Sequence, residues 1–310
     1  MSEGEKRLSP SKTKILSNFK YLNKSQTRLQ FEVSNYRTII ALANTLRRAP
    51  LELIPIWAIS KLIWIEPNKT SAIDEFLEHR IMEIPIINEG KTDEELEDLG
   101  LELNVSCEGP ENRFVTGADF RPENYIHPDH IVTILKPGQQ INVSCRLSKG
   151  FPIENAKFQS CKNPDYWYPE PAGEIPKKII ISYKAIGPLK VETILRKSIE
   201  GIQLRTKNLS RALTEQNKEK INVTAIFGTK YNVMIRNETF TIGHLLASIM
   251  STYDDLVIYS VCTMNHPLED ILEIKLTLKE EIKETPEQVI SMTLEEIDKL
   301  MDKLLSEVEK

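Results

Sequence analysis

The sequence is poor in features that mark several large classes of protein. It has four cysteines in 310 residues, and no two of them form a C-x-x-C pair, so we expect no cysteine-rich zinc knuckle and a reduced, intracellular protein. No run approaches the roughly 18 apolar residues of a membrane span, and the polar N-terminal stretch lacks the apolar core of a signal peptide. A net charge of −5, from 40 basic and 45 acidic residues, argues against a protein that coats nucleic acid or an anionic membrane.

Motifs of common enzyme classes are also missing. There is no G-x-x-x-x-G-K-[ST], no G-x-G-x-x-G after a strand, no G-x-S-x-G and no D-x-D-x-D stretch. We therefore expect no catalytic residues and no nucleotidyl transfer by this chain alone. One enzymatic alternative stays open: His127 and His130 have a spacing that metal ligands can use, so a metal-dependent hydrolase with nearby carboxylates is conceivable. Pro128 lies between the two histidines, and no third ligand is evident.

Charge is distributed unevenly along the chain. Residues 66–111 carry 14 acidic and three basic residues, a local charge of −11. Residues 177–220 carry 11 basic and four acidic residues, and residues 268–310 carry 13 acidic and six basic residues. The last two regions each contain a long helix-forming pattern, so two helices of opposite charge are predicted.

Both long helices have an apolar seam at alternating 4-3 spacing, with Thr206 as the polar member of the first seam. Either each helix packs on its own sheet, or the two helices pack on each other. In the second case the seams must hold the pair, because surface charge pairs add only about 0.2–1 kcal/mol each. The residues predicted for internal helix pairing are Leu195, Ile199, Ile202, Leu209, Leu213, Ile290, Leu294, Ile297, Met301 and Leu304.

Local signals predict where several elements begin and end. A helix after the first strand is expected to stop near Arg48, because Pro50 follows it. Thr241 is predicted to cap a helix in the last third, and Thr285 to open a capping box for the final helix. The proline-rich residues 163–176 are expected to be irregular.

The order strand, capped helix, strand and long amphipathic helix occurs twice. The first copy includes the apolar strand 57–65 and is interrupted by an insert of roughly 67–171. A divergent internal duplicate predicts a pseudo-two-fold arrangement of the two copies within one chain.

Several segments, in order, resemble motifs of the α-like subunits of multisubunit RNA polymerases. For the larger α-like subunit they are residues 44–48 (NTLRR), 74–80 (DEFLEHR) followed by IPI at 84–86, 135–139 (LKPGQ) and 154–158 (ENAKF). For the smaller α-like partner they are residues 238–246 (ETFTIGHLL) and Tyr259 followed by HPL at 266–268.

The chain thus resembles the third-largest and eleventh subunits of a eukaryotic-type polymerase fused head to tail, as in nucleocytoplasmic large DNA viruses. The resemblance implies an α+β fold with two α-like dimerisation units in one chain, a pseudo-heterodimer, the first carrying an inserted, mostly β subdomain. The expected larger unit is 1–214, with dimerisation parts at about 25–66 and 172–214 and the insert at about 67–171. The expected smaller unit is 215–310, with the C-terminal helix.

The same resemblance implies a non-catalytic assembly platform for DNA-dependent RNA polymerase. Its expected partners are the second-largest and largest subunits and a small zinc-binding subunit, with one copy per complex, indirect contact with nucleic acid and no membrane. No cofactor is expected in this chain, zinc included, and catalytic Mg is expected only in the large subunits. The expected location is intracellular, in a viral factory of the host cytoplasm, with the host nucleus or the virion as alternatives. A freestanding α+β interaction scaffold of another complex remains the alternative function.

The family motifs also nominate a partner interface. Core packing or capping is the competing explanation for each member, above all for Thr241, Gly243 and Pro267. The nominated residues are Asn44, Leu46, Arg47, Arg48, Asp74, Glu75, His79, Arg80, Ala156, Lys157, Phe158, Thr241, Gly243, His244, Leu245, His266 and Pro267.

Overall fold

The computed structural model describes residues 17–23, 27–32, 36–168, 178–264, 266 and 268–308. These residues form helices and sheets of antiparallel strand pairs, as the α+β class requires. Among the described residues, no helix is both long and apolar enough to cross a membrane. The helices in chain order are α1 (Tyr36–Glu52), α2 (Asp74–Met82), α3 (Asp93–Glu97), α4 (Val191–Thr214), α5 (Phe240–Met250) and α6 (Pro286–Val308).

Most of the described residues outside these helices belong to β-strands or to the turns between them. Short 3-10 helices at Gly117–Asp119 and Ala156–Phe158 interrupt them. The strands in chain order are β1 (Ser17–Asn23), β2 (Thr27–Glu32), β3 (Ile56–Trp64), β4 (Gly100–Ser106), β5 (Arg113–Thr116), β6 (Phe120–Arg121), β7 (Ile131–Leu135), β8 (Gln140–Gly150), β9 (Cys161–Trp167), β10 (Lys178–Ala185), β11 (Ile221–Phe227), β12 (Lys230–Arg236), β13 (Val257–Thr263) and β14 (Ile271–Leu278).

The chain divides into two compact units. The described residues of Met1–Ala49, Asn163–Tyr183 and Leu195–Lys310 form the first unit, and Pro50–Lys162 with Lys184–Ile194 form the second. This division differs from the predicted insert of 67–171. The strand predicted at 57–65 is β3, and it pairs with β8 in the second-unit sheet of order β3-β8-β4-β6. The second unit therefore begins before the acidic stretch, because this apolar strand completes its sheet.

The first unit contains two four-stranded sheets with the same strand order. One sheet has the order β1-β2-β10-β9 and the other β11-β12-β14-β13. In each case a hairpin is followed by a helix, then by the two remaining strands, then by a long helix. Sequence analysis predicted such a repeat, but β9 and β10 take the place in the first copy that was given to strand 57–65.

Helix ends partly agree with the sequence signals. The capping box at Thr285 is confirmed, because its backbone N–H donates to Gln288 Oε1 at 2.8 Å and its Oγ1 accepts from the Gln288 N–H at 3.3 Å. Thr241 lies inside α5, whose N-cap is Thr239. Helix α1 continues through Pro50 to Glu52. A proline in the last turn removes only one backbone hydrogen bond, so it does not have to end the helix there.

The proline-rich segment was partly misjudged. Residues 161–167 form β9, an edge strand of the first sheet, although Pro164 lies within it. An edge strand accepts proline, because one row of its N–H groups has no partner strand. The rest of the predicted irregular segment, residues 169–176, lies outside the described residues.

The second unit has its own apolar core. Buried side chains of β3, β4 and β8 meet the buried face of α2, where Leu77 and Ile81 are at most 1% exposed. Strand β4 alternates strictly between exposed and buried residues, so one face of its sheet lies on this core. Helix α3 lies within the acidic stretch 66–111 and begins with a capping box between Thr92 and Glu95.

Candidate partner interface

Helix α1 presents the N-x-L-R-R segment with one buried and one half-buried side. Leu46 is 2% exposed and packs in the core. Arg47 folds back along the helix, donating from Nη2 and Nε to Asn44 Oδ1 at 2.7 and 3.1 Å. The buried Thr45 hydroxyl donates to the Ala41 carbonyl at 2.8 Å and lies 3.5 Å from the Thr241 carbonyl oxygen of α5. The first helices of the two copies therefore meet inside the first unit. The burial of Leu46 favours core packing, the competing explanation for its place in the motif.

Helix α5 is anchored by close packing on its sheet. A Cβ at Gly243 would lie 2.1 Å from Leu272 Cδ2 and 2.8 Å from Cys262 Sγ, both on strands beneath the helix. Thr241 and Leu245 are also buried, at 2% and 0% exposure. These three nominated residues therefore pack within the chain, and Gly243 does so against β13 and β14.

The opposite side of α5 remains accessible. The Phe240 ring stacks on the His244 imidazole, with centroids 5.7 Å apart and an interplanar angle of 24°. Phe240 is 41% exposed. His244 thus lies on the accessible side, as a partner residue must, beside an aromatic ring that sequence analysis did not nominate.

Helix α2 carries the nominated acidic and basic residues on its surface. Asp74 accepts a hydrogen bond from Asn68 Nδ2 at 2.7 Å, and Arg80 Nη2 donates to the Ile131 carbonyl at 3.2 Å. Glu75 and His79 are exposed. The helix is therefore fixed to β7 by Arg80, and its remaining charged side chains face solvent.

The nominated 154–158 segment is mostly structural. The Phe158 ring is 6% exposed and contacts the backbone at Gly150, where a Cβ would lie 2.4 Å from the ring. Lys157 Nζ donates to the Ile59 carbonyl of β3 at 3.1 Å and lies 5.2 Å from the centre of the Phe158 ring. Ala156 is exposed. The Phe158 ring therefore fills the core beneath β3 and β8, which is the core-packing role that competed with its nomination as a partner contact.

The histidine of the HPL segment is on the surface. His266 is exposed, and its Nδ1 accepts a hydrogen bond from the Leu268 N–H at 3.2 Å. Leu268 is 88% exposed. Pro267, also nominated, lies outside the described residues.

Two side-chain hydrogen bonds join the two long helices, as the interpretation in which the helices pack on each other predicts. Gln203 Nε2 donates to Asp302 Oδ1 at 2.6 Å, and Thr206 Oγ1 donates to Asp298 Oδ1 at 2.5 Å. Moving forward along α4 thus corresponds to moving backward along α6, so the pair is antiparallel. Nine of the ten nominated seam residues are buried, and Leu213 near the end of α4 is half-buried.

A buried carboxylate at the start of α5 escaped sequence analysis. The Glu238 side chain is 1% exposed, with Lys220 Nζ at 3.3 Å and Arg205 Nη1 at 3.7 Å from its Oε1. Burial raises the pKa of Glu238, and the two cations oppose that rise. Arg205 belongs to α4 and Lys220 directly precedes β11. Both are so far from Glu238 in sequence that no local sequence pattern predicts the ion pairs.

The His127–His130 segment has a structural use. The Gly117 N–H donates to the His130 carbonyl at 2.8 Å, and a Cβ at Gly117 would lie 2.0 Å from the His127 carbonyl oxygen. Burial, followed by the cationic Arg80 and the neighbouring His127, lowers the pKa of His130. Across the described ranges, no group of three or more His, Cys, Asp or Glu side chains is arranged to hold a metal ion.

Comparison with known proteins gives two kinds of match. Residues 230–307 match the family model of the RNA polymerase Rpb3/Rpb11 dimerisation domain. The chain is 25% identical over 193 residues to DNA-directed RNA polymerase subunit Rpo3 of Methanocaldococcus jannaschii, covering 61% of this chain and 94% of Rpo3. It is 22% identical over 271 residues to DNA-directed RNA polymerase II subunit RPB3 of Schizosaccharomyces pombe, covering 66% of this chain and 90% of RPB3.

A third relative is matched over a shorter region. The chain is 28% identical over 165 residues to subunit RPAC1 of DNA-directed RNA polymerases I and III from Mus musculus, covering 41% of this chain and 47% of RPAC1. Each relative is a polymerase subunit by name, and the matched domain model is the one by which Rpb3 and Rpb11 dimerise. Together these matches make the chain similar to RNA polymerase α-like subunits, and its C-terminal part similar to the Rpb3/Rpb11 dimerisation domain.

Proposed function

We propose that this chain is a non-catalytic assembly platform of a DNA-dependent RNA polymerase, made of two fused α-like halves. The larger half is 1–214 and the smaller 215–310, paired as a pseudo-heterodimer. The observation that carries the proposal is the repeated strand order of the two first-unit sheets, with α4 of one copy packed antiparallel on α6 of the other. The dimerisation-domain match covers much of the second copy. Fusion makes the pairing intramolecular, at an effective concentration on the order of mM.

The accessible nominated residues suggest where larger partners dock. Within the first unit these are the polar side of α1 around Asn44, Arg47 and Arg48, and the exposed side of α5 at His244. Within the second unit, α2 offers Glu75 and His79. We propose that these surfaces receive the second-largest and largest subunits, with a small zinc-binding subunit beside them and one copy of this chain per complex.

The remaining expectations are proposals of the same kind. This chain holds no cofactor and no zinc, and catalytic Mg belongs to the large subunits. Nucleic acid is reached only through the complex, no membrane is involved, and the complex works inside the cell, in a viral factory, the host nucleus or the virion.

A tagged full-length chain purified from its native source tests the proposal. We expect two much larger chains to co-purify, identified by mass spectrometry, and the eluate to extend a primed template. Recovery of the 35.6 kDa chain alone at low salt would overturn the proposal and favour a freestanding scaffold. Stoichiometric metal bound to the purified chain would instead favour the hydrolase alternative.

A further inference from the structure

Four large apolar side chains of the second unit are exposed on adjoining elements. They are Phe76 on α2 at 59% exposure, Phe114 on β5 at 56%, and Ile131 and Ile134 on β7 at 47% and 46%. We call this set the α2–β5–β7 patch. Contiguous exposed apolar side chains on a folded protein mark a surface used for binding.

The patch is continuous because its three elements touch. Phe114 and Ile134 are directly opposite each other in the β5–β7 ladder, where cross-strand side chains on the same face are neighbours. Arg80 of α2 donates to the carbonyl of Ile131 at 3.2 Å. Phe76 lies one helical turn before Arg80, on the same side of α2. An aromatic pair and two isoleucines therefore share one surface.

The fold does not need these side chains. The opposite faces of the same elements already supply the core, with Val115, Val132 and Leu135 at 0% exposure on the strands. Leu77 and Ile81 anchor α2. The exposed set thus contributes little burial to this chain, which is what distinguishes an interface residue from a core residue.

The charges around the patch indicate the chemistry of its partner. Arg80 donates to the neutral Ile131 carbonyl and keeps its charge, whereas Arg113 is paired with a carboxylate. Arg113 donates to the Ser106 carbonyl and to Asp119 Oδ1, each at 3.0 Å. In the described part of the chain, Glu75 and Glu78 of α2 make no hydrogen bond or ion pair. The carboxylates of Glu75 and Glu78 are therefore available to Lys or Arg side chains of a partner.

We propose that the α2–β5–β7 patch binds a basic amphipathic segment of another protein chain. Its apolar side chains would cover Phe76, Phe114 and the two isoleucines, and its Lys or Arg side chains would meet Glu75 and Glu78. The same unpaired carboxylates repel a phosphate backbone, which argues against RNA or DNA as the occupant. The inference rests on the proposed function in one respect, because it takes the partner to be a further subunit of the same complex.

Site-specific photocrosslinking in the purified complex tests the inference. The photoreactive residue p-benzoylphenylalanine replaces Phe114 in one preparation and Phe227, which is 81% exposed in the first unit, in a matched control. We expect the probe at 114 to link to one chain, at a segment with net positive charge and apolar residues. The probe at 227 is expected not to reach that segment.

Two variants add a quantitative readout. Phe114→Asp, and separately Glu75→Lys with Glu78→Lys, should each lower retention of the crosslinked chain by about tenfold or more, as loss of an interface hot spot does. Their thermal unfolding should match that of the parent, because Phe114 and Glu75 are exposed and the half-buried Glu78 makes no hydrogen bond or ion pair within the described part of the chain.

The outcomes separate the two proposals. If the large subunits are retained but the probe at 114 links to nothing, or to an acidic segment, the patch inference is overturned and the proposed function stands. A complex without large subunits whose chain still links at 114 to a basic segment would support the patch and overturn the proposed function. Absence of any partner would overturn both.

Discussion

Gly243 is the residue at which α5 comes closest to its sheet. Replacing it with alanine would add about 1 kcal/mol of helix propensity, but the new methyl would overlap Leu272 and Cys262, which are 0% and 5% exposed. Overpacking of this kind costs about 1–3 kcal/mol. We therefore expect Gly243→Ala to lower the free energy of unfolding by up to about 2 kcal/mol, measured by urea denaturation.

The matched control is Gly109→Ala. A Cβ there has no neighbour within 4 Å, and the backbone does not have a positive φ. This variant should leave stability unchanged or slightly raise it. Equal stability of the two variants would show that α5 can move away from β13 and β14 without cost.

Because of Glu238, we expect part of the folding stability to increase as the pH falls. Its pKa is raised by burial above the 4.5 of an ordinary glutamate, so the folded state takes up this proton before the unfolded state does. Between the raised pKa and 4.5, stability attributable to this group therefore rises as pH falls. Urea titrations of the parent and of Glu238→Gln at several pH values should show the parent gaining stability relative to the variant on acidification.

The stability change caused by Glu238→Gln at pH 7 shows whether the ion pairs of Glu238 with Arg205 and Lys220 outweigh the cost of burying its carboxylate. Arg205 and Lys220 are 34% and 23% exposed, so they remain hydrated when the carboxylate is replaced. We expect Glu238→Gln to be close to neutral at pH 7, because burial already disfavours the charged carboxylate and a neutral amide avoids that desolvation. A large loss of stability at pH 7 would mean that the ion pairs outweigh burial.

At the scale of elements, the α4–α6 pair should carry much of the stability of the first unit. Leu209 is 0% exposed and Leu204 is 62% exposed on the same helix. Leu209→Ala should cost about 2–5 kcal/mol through lost contacts and a cavity, whereas Leu204→Ala should change stability by less than about 0.5 kcal/mol. Denaturant unfolding followed by circular dichroism compares an identical substitution at the two sites.

Elements determined by interactions between residues close in sequence were predicted better than elements determined by their place in the fold. The seams of α4 and α6 and the Thr285 capping box depend on residues a few positions apart, and both were predicted. Strand β9 was missed because its composition suggests a loop, and only its place at a sheet edge makes Pro164 acceptable. The capping box between Thr92 and Glu95 is an equally local signal for the start of α3.

For the nominated partner interface, the sequence motifs gave the positions of the residues but not which of them are buried. The motifs located α1, α2 and α5 correctly, but a motif does not say which of its members face inward. Leu46, Gly243 and Phe158 turned out to be packing residues, a distinction that only the neighbouring strands and helices decide. Glu238 was not nominated as a charged-cluster residue, because Arg205 and Lys220 come from separate elements.

At the scale of the whole molecule, the covalent link between the halves should be dispensable once they have paired. Residues 215–219 are exposed, so a protease site can be inserted there. After cleavage we expect the two pieces to elute together in size-exclusion chromatography at micromolar concentration, since α4, α6 and Glu238 join them. The same cleavage in Leu209→Ala should release the pieces on dilution, and separation of the unmodified pieces would contradict the pairing.

The two matching sheets differ greatly in how far apart their paired strands lie along the chain. Phe31 of β2 is opposite Ile179 of β10, a separation of 148 residues, whereas Val233 of β12 is opposite Ile274 of β14, a separation of 41. Closing a longer loop costs more entropy, and contacts between distant residues form more slowly. The C-terminal sheet should thus acquire amide protection first in pulsed hydrogen exchange during refolding. The sheet of residues 221–278, which the ribosome makes last, would then fold before the sheet that begins at β1, although β1 and β2 are made first.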